Sequence, residues 1–233
     1  VPARVPAAPM PVPPPPWTCP GRPAPAAVRT APGSVRTVAL TFDDGPSRWT
    51  PQVLDVLKRY QVSATFFVVG VNAQRDPQAV TAEAAAGHLV GNHTWTHITP
   101  PPRTGWPAAR LGSELDRTSA VVRQLTGART CWFRPPAGIL AGAAGPATAR
   151  GMAVVVWSVD SKDWLVQKGA RADGGGALAR RITARATVAD RQDHPVVLLH
   201  DGGGYRGATA AALPAIIGFY RSHGYTFVRM DGH

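Results

Sequence analysis

Two adjacent carboxylates, Asp43 and Asp44, follow the apolar run 38–40 and precede Gly45-Pro46. An apolar run that closes on acidic residues and then Gly-Pro predicts a buried strand ending in a sharp turn. Neighbouring carboxylates repel each other, so the pair is stable only if a nearby group takes up negative charge. A divalent cation on one of them would leave the other free to transfer protons. The alternative interpretation is a solvated turn in which one aspartate caps the next helix.

A pair of histidines follows the third predicted strand, in the segment 93–97 (His-Thr-Trp-Thr-His). Histidines four residues apart fall on one face of a helical turn, where both imidazoles reach the same metal ion. A zinc-peptidase helix places glutamate after its first histidine, but Thr94 stands there, so a peptidase of that type would lack its base. Asp44, His93 and His97 together form an Asp-His-His set with open positions, which is typical of a catalytic metal site.

Three later stretches also place polar side chains directly after predicted strands. Arg134 precedes two prolines, where a guanidinium can hold a carboxylate and a rigid bend can point a backbone N–H inward. The stretch 157–164 contains two more carboxylates and a tryptophan, and His200 ends the apolar run 196–199. Taken alone, each has a structural interpretation: an arginine over a turn, a surface loop anchored by tryptophan, and a structural histidine.

The rest of the chain supplies the elements that must position these residues. Short apolar runs alternate with helical patterns, which predicts parallel β/α units closing into a barrel or a doubly wound sheet. In both folds the active residues lie at the carboxyl ends of the strands. The seven predicted strands are Val38–Phe42, Ala64–Val69, Leu89–Asn92, Cys131–Arg134, Ala153–Trp157, Val196–Leu199 and Thr226–Met230. The predicted helices are 50–60, 77–87, 107–126, 141–150, 174–187 and 208–223.

Length and composition restrict the class of protein. A chain of 233 residues suits one domain with its own core. It contains no run of about 18 uncharged apolar residues, so no membrane span is expected. The net charge of +11 would favour binding to an anionic wall polymer or would keep the protein soluble. The arginines are scattered and no aromatic stripe accompanies them, which argues against nucleic acid as the partner. Residues 1–35 are rich in proline and alanine, which predicts a tail or linker before a domain spanning 36–233.

The two cysteines, Cys19 and Cys131, lie far apart and have no metal-type spacing. A single disulfide is expected if the protein is exported, and separate thiols if it stays inside a cell.

The five motif stretches, in this order, resemble those of the polysaccharide deacetylases, the fourth carbohydrate-esterase family with its NodB-like domain. The resemblance runs from about Thr37 to Met230. It implies an α/β fold, a distorted (β/α) barrel of about seven parallel strands. It also implies one divalent metal ion, zinc or alternatively cobalt or another ion, held by Asp44, His93 and His97.

The resemblance implies a role for each side of the site. Asp43 would be the catalytic base, Arg134 would tether it, and the backbone N–H of Ala137 would help to form an oxyanion hole. An aromatic side chain is common in the family where this chain has Ala137, so any side-chain contact with sugar is lost there.

On the opposite side, His200 would be the general acid and Asp163 its partner. Trp164 and Leu198 would form the walls of a pocket for the acetyl group.

The expected function is a hydrolase that removes N-acetyl groups from N-acetylglucosamine units of chitin, chitooligosaccharides or peptidoglycan. An esterase acting on the O-acetyl groups of xylan is the alternative within enzymes. An inactive carbohydrate-binding domain is a third hypothesis, but its mark would be a lost ligand or base, and none is lost. The protein is expected to be a secreted or wall-associated monomer. The distinctive segments 98–106 and 169–176 leave the choice of polymer open, because such loops shape a sugar cleft.

Overall fold

Apolar runs rich in β-branched and aromatic residues form a curled sheet of parallel strands in the computed structural model, which describes residues 17–21, 26–101, 104–165, 176–187 and 192–233. The strands follow the order β5-β4-β3-β2-β1-β7-β6, and β8 pairs with the beginning of β1. Their bounds are β1 Thr37–Asp43, β2 Thr65–Val68, β3 Leu89–Asn92, β4 Trp132–Phe133, β5 Ala153–Val154, β6 Val159–Asp160, β7 Val196–His200 and β8 Thr226–Phe227.

Helices connect the strands, as parallel pairing requires. Asp76 begins one of them by accepting a hydrogen bond from the Ala79 N–H, with Pro77 at the first helical position. Another ends at Gly127, whose φ of 71° is the left-handed conformation that favours glycine. The helices are α1 Thr50–Tyr60, α2 Gly70–Arg75, α3 Pro77–Ala85, α4 Ala108–Thr126, α5 Ala144–Thr148, α6 Gly176–Ala186 and α7 Gly207–Ser222.

The central strand β1 determines where the site forms. All seven of its residues are buried, and it pairs with β2 on one side and β7 on the other. Phe42 stacks on Phe66 of β2 with ring centroids 5.0 Å apart, which anchors the two strands in the core. In the pairing with β7, Asp43 stands directly opposite His200. The register therefore brings together two polar residues that are 157 positions apart in the sequence.

The predicted distorted (β/α) barrel is confirmed, and the predicted strands are all present, although several are shorter than expected. Two elements were not predicted. Strand β6 has only two residues, which is too short for a hydrophobic pattern, and it emerges from a polar stretch. Helix α2 begins at Gly70 and has only 6 residues, which is too short to show an apolar periodicity. Positions 174 and 175 of the fifth predicted helix lie outside the described residues.

A disulfide between Cys19 and Cys131 attaches an N-terminal segment to the residue before β4. Further along, Val28 forms a bridge with Val155 after β5, and Thr30 forms one with Pro195 before β7. The described residues of the predicted tail thus contact the domain. Residues 1–16 and 22–25 lie outside the described part of the chain. The domain boundary at residue 35 stays a prediction. Among the described helices, none is long and apolar enough to cross a membrane.

Candidate active site

Asp44, His93 and His97 form a cluster in which one ligand-type atom of each lies within 4.8 Å of the others. Oδ1 of Asp44 is 3.0 Å from Nε2 of His97 and 3.4 Å from Nε2 of His93. This oxygen is buried and makes no hydrogen bond of good geometry within the described part of the chain. Burial raises the pKa of Asp44, but the two imidazoles outweigh it and hold the pKa well below its usual range. Burial lowers the pKa of His97, and Asp44 outweighs that effect and raises it.

The two histidines converge through a loop, and the expectation that a helical turn aligns them is wrong. Thr94 and His97 both adopt left-handed backbone conformations, with φ of 68° and 55°. The amide of Thr94 donates to Oδ1 of Asn92, and the amide of His97 donates to the Thr94 hydroxyl. These side chain to backbone bonds fold the segment into a tight loop in place of a helix.

Hydrogen bonds orient His93 and Asp44 toward the cluster. Nδ1 of His93 lies 2.7 Å from the backbone oxygen of Arg134 and donates to it, which leaves Nε2 as the atom that faces Asp44. On the other side, the side-chain amide of Asn72 donates to the backbone oxygen of Asp44. Asp44 itself has a φ of 71°, so its side chain leaves β1 in a direction that an extended residue could not give.

Glu114 of α4 holds the histidine loop from behind. Its Oε2 accepts hydrogen bonds from the amides of Trp95 and Thr96, at 2.8 and 2.7 Å, and its carboxylate also accepts from the Thr96 hydroxyl. Arg117, one turn further along the helix, stacks over the Trp95 ring at 4.2 Å. No sequence signal identified Glu114, because it lies inside a helix pattern well away from the motif that it supports.

Asp43, the predicted base, sits at the end of β1 and is 3% exposed. Its Oδ1 accepts a 2.8 Å hydrogen bond from Nη1 of Arg134, which also donates to the Thr41 hydroxyl. Oδ2 of Asp43 points the other way and lies 3.8 Å from Nε2 of His93. Arg134 is fully buried against the Phe67 ring, and burial lowers its pKa although Asp43 opposes that effect. Arg134 therefore holds Oδ1 of Asp43, and Oδ2 faces the cluster of Asp44, His93 and His97.

His200, the predicted acid, has a carboxylate partner of its own. Nδ1 donates to Oδ1 of Asp163 at 2.7 Å, and Oδ2 of Asp163 accepts from the His200 amide and the Thr209 hydroxyl. Burial lowers the pKa of His200, but the Asp163 carboxylate outweighs it and raises the pKa to about 9. Burial also raises the pKa of Asp163. His200 and Arg206 outweigh this effect, and the pKa of Asp163 is lowered. Asp163 therefore favours the protonated form of the imidazole.

These groups open onto one cavity of about 380 Å³. Of the residues predicted from the sequence, Arg134 and Asp163 stand behind the cavity, and the others line it. The cavity is lined by Asp43, Asp44, His93, His97, Ala137, Trp157, Asp160, Trp164, Leu198 and His200. Ala137 adopts a left-handed conformation with φ of 54° in a short 3-10 turn, as expected for a residue that turns the chain toward the site.

Two lining residues, Trp157 and Asp160, had no predicted role, although both belong to the stretch 157–164 singled out in the sequence. Oδ1 of Asp160 accepts from the Lys162 amide and, at 3.3 Å, from the indole N–H of Trp164. Trp157 packs against Gly138 so closely that a Cβ there would lie 2.8 Å from the ring. Together they shape the wall that carries Trp164.

A buried carboxyl group beneath the site was also missed. The Asp201 amide donates to the backbone oxygen of Asp43, and the Asp201 side chain accepts a hydrogen bond from the Thr50 hydroxyl. Gly45 lies against this carboxyl, where a Cβ would meet it at 2.2 Å. Burial, which outweighs the hydrogen bond from Thr50, raises the pKa of Asp201 to about 7. Asp201 joins the turn after β1 to the end of β7, and its position next to His200 is the only sequence signal for it.

Residues 30–150 match the sequence profile of a family described as polysaccharide deacetylase. The chain belongs to the polysaccharide deacetylase family. This confirms the family predicted from the five motifs, and the match spans Asp43, the cluster of Asp44, His93 and His97, and the Arg134 turn.

Named relatives agree with this assignment. The chain is 36% identical over 195 residues to the peptidoglycan-N-acetylglucosamine deacetylase PgdA of Listeria monocytogenes, covering 83% of this chain and 38% of that protein. It is 34% identical over 199 residues to a peptidoglycan-N-acetylglucosamine deacetylase of Bacillus cereus, covering 83% and 86%. The crystal structure of the Bc1960 peptidoglycan N-acetylglucosamine deacetylase, with a bound naphthalenyl-N-hydroxybenzamide, superposes with a TM-score of 0.73 at 33% identity, over 86% of this chain and 89% of that one. The chain spans well under half the length of the Listeria relative.

Proposed function

We propose that this protein is a metal-dependent hydrolase that removes the acetyl group from N-acetylglucosamine units of peptidoglycan. The observation that carries the proposal is that one cavity contains both a candidate base and a candidate acid, each with a partner of opposite charge. Asp43 is a carboxylate tethered by Arg134, and His200 is an imidazolium held by Asp163, and both line the cavity together with the metal-type cluster of Asp44, His93 and His97. Amide hydrolysis needs a base for the attacking water and an acid for the departing amine, and this cavity supplies both.

The proton-transfer roles follow from the hydrogen bonds. Arg134 occupies one oxygen of Asp43, so the other oxygen, Oδ2, is the one that accepts the proton of the attacking water. Nδ1 of His200 is occupied by Asp163, so Nε2 faces the cavity and delivers a proton to the amine. The Ala137 amide, in its left-handed turn, is the proposed donor to the oxyanion.

The residues present suit a divalent cation. Two imidazole Nε2 atoms converge on a buried carboxylate oxygen that lacks a well-formed hydrogen bond, and two nitrogens plus one oxygen are a donor set that zinc accepts. When bound, such an ion supplies polarisation of the acetyl carbonyl and a lowered pKa for water. We propose zinc, with cobalt or another divalent ion as the alternatives.

The proposed polymer is peptidoglycan, because the named relatives are described as peptidoglycan deacetylases. The Cys19–Cys131 disulfide suits an oxidising compartment, and we therefore propose that the protein works outside the cytoplasm or at the wall. The arginine-rich surface is compatible with an anionic wall polymer.

The test is acetate release from peptidoglycan, an acetylated chitooligosaccharide and acetylated xylan, each with and without a chelator. Release from the first substrate that the chelator abolishes and added zinc restores is the expected result. Preference for xylan would favour the O-acetyl esterase, and no release from any of the three would favour an inactive binding domain.

Two variants separate the roles within the site. His93→Ala should lose most of its metal by elemental analysis and remain folded, because the core is independent of the site. Asp43→Asn should keep a full equivalent of metal and lose about 10²–10⁴-fold in rate, because an amide cannot accept the water's proton. Full metal in His93→Ala, or normal turnover in Asp43→Asn, would overturn the corresponding assignment.

A further inference from the structure

A second, smaller cleft lies beside the active-site cavity. It measures about 140 Å³ and is lined by residues 98–101, Trp106, Pro107 and Arg110; we refer to it as the proline cleft. His97 lines the active-site cavity and Ile98 lines the proline cleft, so the two spaces adjoin along the chain at the metal cluster. The segment 98–106 was distinctive in the sequence and none of the roles above uses it.

The inner wall of the proline cleft is held in place. The indole N–H of Trp106 donates to the backbone oxygen of Ile139 at 3.0 Å, and its amide donates to that of Ala141 at 2.9 Å. Gly105 packs directly on Ala141, where a Cβ would come within 2.6 Å of the backbone oxygen. The cleft wall is therefore bonded to the loop that follows the Ala137 turn. A polymer leaving the active-site cavity on this side would meet a preformed surface.

The walls and the charge of the proline cleft indicate what it can bind. Proline, isoleucine and tryptophan side chains make its walls apolar, and Arg110 is the one charged residue that lines it in the described part of the chain. Arg110 is exposed near the start of α4, and no hydrogen bond or ion pair to it is found among the described residues. Among the residues that the structure describes, no acidic side chain lines the cleft to compensate the guanidinium. A short apolar group that ends in a carboxylate matches both features.

We propose that the proline cleft binds the lactyl-peptide substituent of the N-acetylmuramic acid next to the N-acetylglucosamine being deacetylated. This proposal rests on the proposed function and deepens it. In peptidoglycan the two sugars alternate, and the lactyl ether of the muramic sugar leads to a carboxylate or to a peptide that carries carboxylates. Chitin has no such substituent. Arg110 would therefore favour peptidoglycan over a neutral chain of the same sugar backbone.

The test compares two substrates of equal sugar number, an oligomer of alternating N-acetylglucosamine and peptide-bearing N-acetylmuramic acid, and an acetylated chitooligosaccharide. Arg110→Gln should raise KM for the muramic oligomer by about two- to fivefold at low salt, the range of an exposed ion pair, and leave kcat unchanged. KM for the chitooligosaccharide should not change. The difference should shrink as salt is added.

Arg123→Gln is the matched control, because Arg123 is an exposed arginine near the other end of the same helix, about 20 Å away at the helical rise. It should leave both KM values unchanged. Equal changes in both substrates for Arg110→Gln, or a muramic effect of the same size in Arg123→Gln, would show only general electrostatics and overturn the proposal.

A binding measurement separates this proposal from the proposed function. N-acetylmuramyl dipeptide should shift the indole N–H resonance of Trp106 in the wild-type protein, and its neutral methyl ester and amide forms should shift it less. Arg110→Gln should remove the difference between the charged and neutral ligands. If the wild-type protein releases no acetate but shows this pattern, only the proposed function fails. If charged and neutral ligands act alike, the cleft proposal is wrong whatever the enzyme does.

Discussion

A charged partner stands behind each of two groups that line the cavity, Asp43 and His200. Asp43 has a guanidinium behind it and His200 has a carboxylate behind it. Burial alone would lower the pKa of His200, so its elevation to about 9 depends on nearby carboxylates, first Asp163 and then Asp43 and Asp44. The two groups therefore lie on adjacent strands with partners of opposite charge.

The first prediction concerns Asp163→Asn and the pH dependence of catalysis. His200 should be protonated below its raised pKa, so the acid-dependent rate is present at neutral pH and is lost as pH rises through that pKa. Removing the Asp163 charge leaves the burial that lowers the pKa, so the fall in kcat should move to lower pH. The measurement is the pH profile of kcat on an acetylated chitooligosaccharide, with an NMR titration of His200.

Thr209→Val is the matched control for this experiment. Thr209 donates to the same carboxylate, so its loss removes a hydrogen bond and keeps the charge. Its pH profile should move less than that of Asp163→Asn. Identical profiles for Asp163→Asn and the wild-type protein would contradict the electrostatic role of Asp163.

The second prediction separates amide from ester cleavage through His200→Ala. An amine cannot leave as its anion, so amide cleavage requires a proton on nitrogen, whereas an activated ester has a leaving group that needs none. We expect the loss of rate to be larger on the acetylated chitooligosaccharide than on an activated acetyl ester. The ratio of mutant to wild-type rates on the two substrates is the measurement, and equal ratios would remove the general-acid role.

At the scale of elements, helix α4 controls the loop that carries two of the three proposed metal ligands. Glu114 lies in the middle of the helix and accepts two amides and one hydroxyl from Trp95 and Thr96. The loop has left-handed residues at both Thr94 and His97, which are costly conformations unless the surroundings maintain them. The helix therefore maintains a ligand geometry that the loop would not adopt alone.

The third prediction is that Glu114→Ala weakens metal binding without removing a ligand. Losing a residue that orients metal ligands typically costs about 10–100-fold in metal affinity, and we expect a loss in that range. The measurement is the dissociation constant from competition with a chelator. Glu114→Gln keeps one acceptor oxygen and should recover part of the affinity.

Asp116→Ala is the control on the same helix. Asp116 pairs with Arg150 on the surface, where a single ion pair contributes at most about 1 kcal/mol. It should leave the metal affinity unchanged. An equal loss of affinity in both variants would mean that general destabilisation of α4, and not the loop contact, is responsible.

At the scale of the whole molecule, the N-terminal segment and the β-barrel are joined by covalent and backbone bonds. The disulfide closes a sequence separation of 112 residues between Cys19 and Cys131. The isolated bridges of Val28 and Thr30 join this segment to Val155, just after the edge strand β5, and to Pro195, just before β7. The segment is thus attached to the barrel at three separate places.

The fourth prediction is that the double variant Cys19→Ser/Cys131→Ser is less stable and still active. A loop of this length corresponds to up to about 5 kcal/mol in the chain-entropy model, so the free energy of unfolding should fall by part of that amount. Urea titration measures the change, and kcat at a temperature where the variant is folded should be near normal. Free-thiol titration of the unfolded, unreduced wild-type protein should find no thiol; two free thiols would contradict the bond.

The sequence by itself determined the fold class and predicted which side chains meet at one site. Alternating apolar runs and helical patterns indicate parallel β/α units, and in such folds residues after the strands meet at one edge. Asp43, Asp44 and His200 could therefore be placed at a common site without coordinates. These inferences succeed because they depend on local patterns and on a general property of parallel sheets.

Only the tertiary structure decided which groups support the reactive ones and what shape surrounds them. Glu114 and Asp201 act through contacts with distant segments, and neither has a motif that a local pattern could show. The histidine loop was predicted as a helical turn because spacing alone cannot reveal left-handed residues stabilised by α4. The proline cleft exists because Trp106 is bonded to the loop after Ala137. Long-range packing creates these features, so they are not written in any single stretch of the chain.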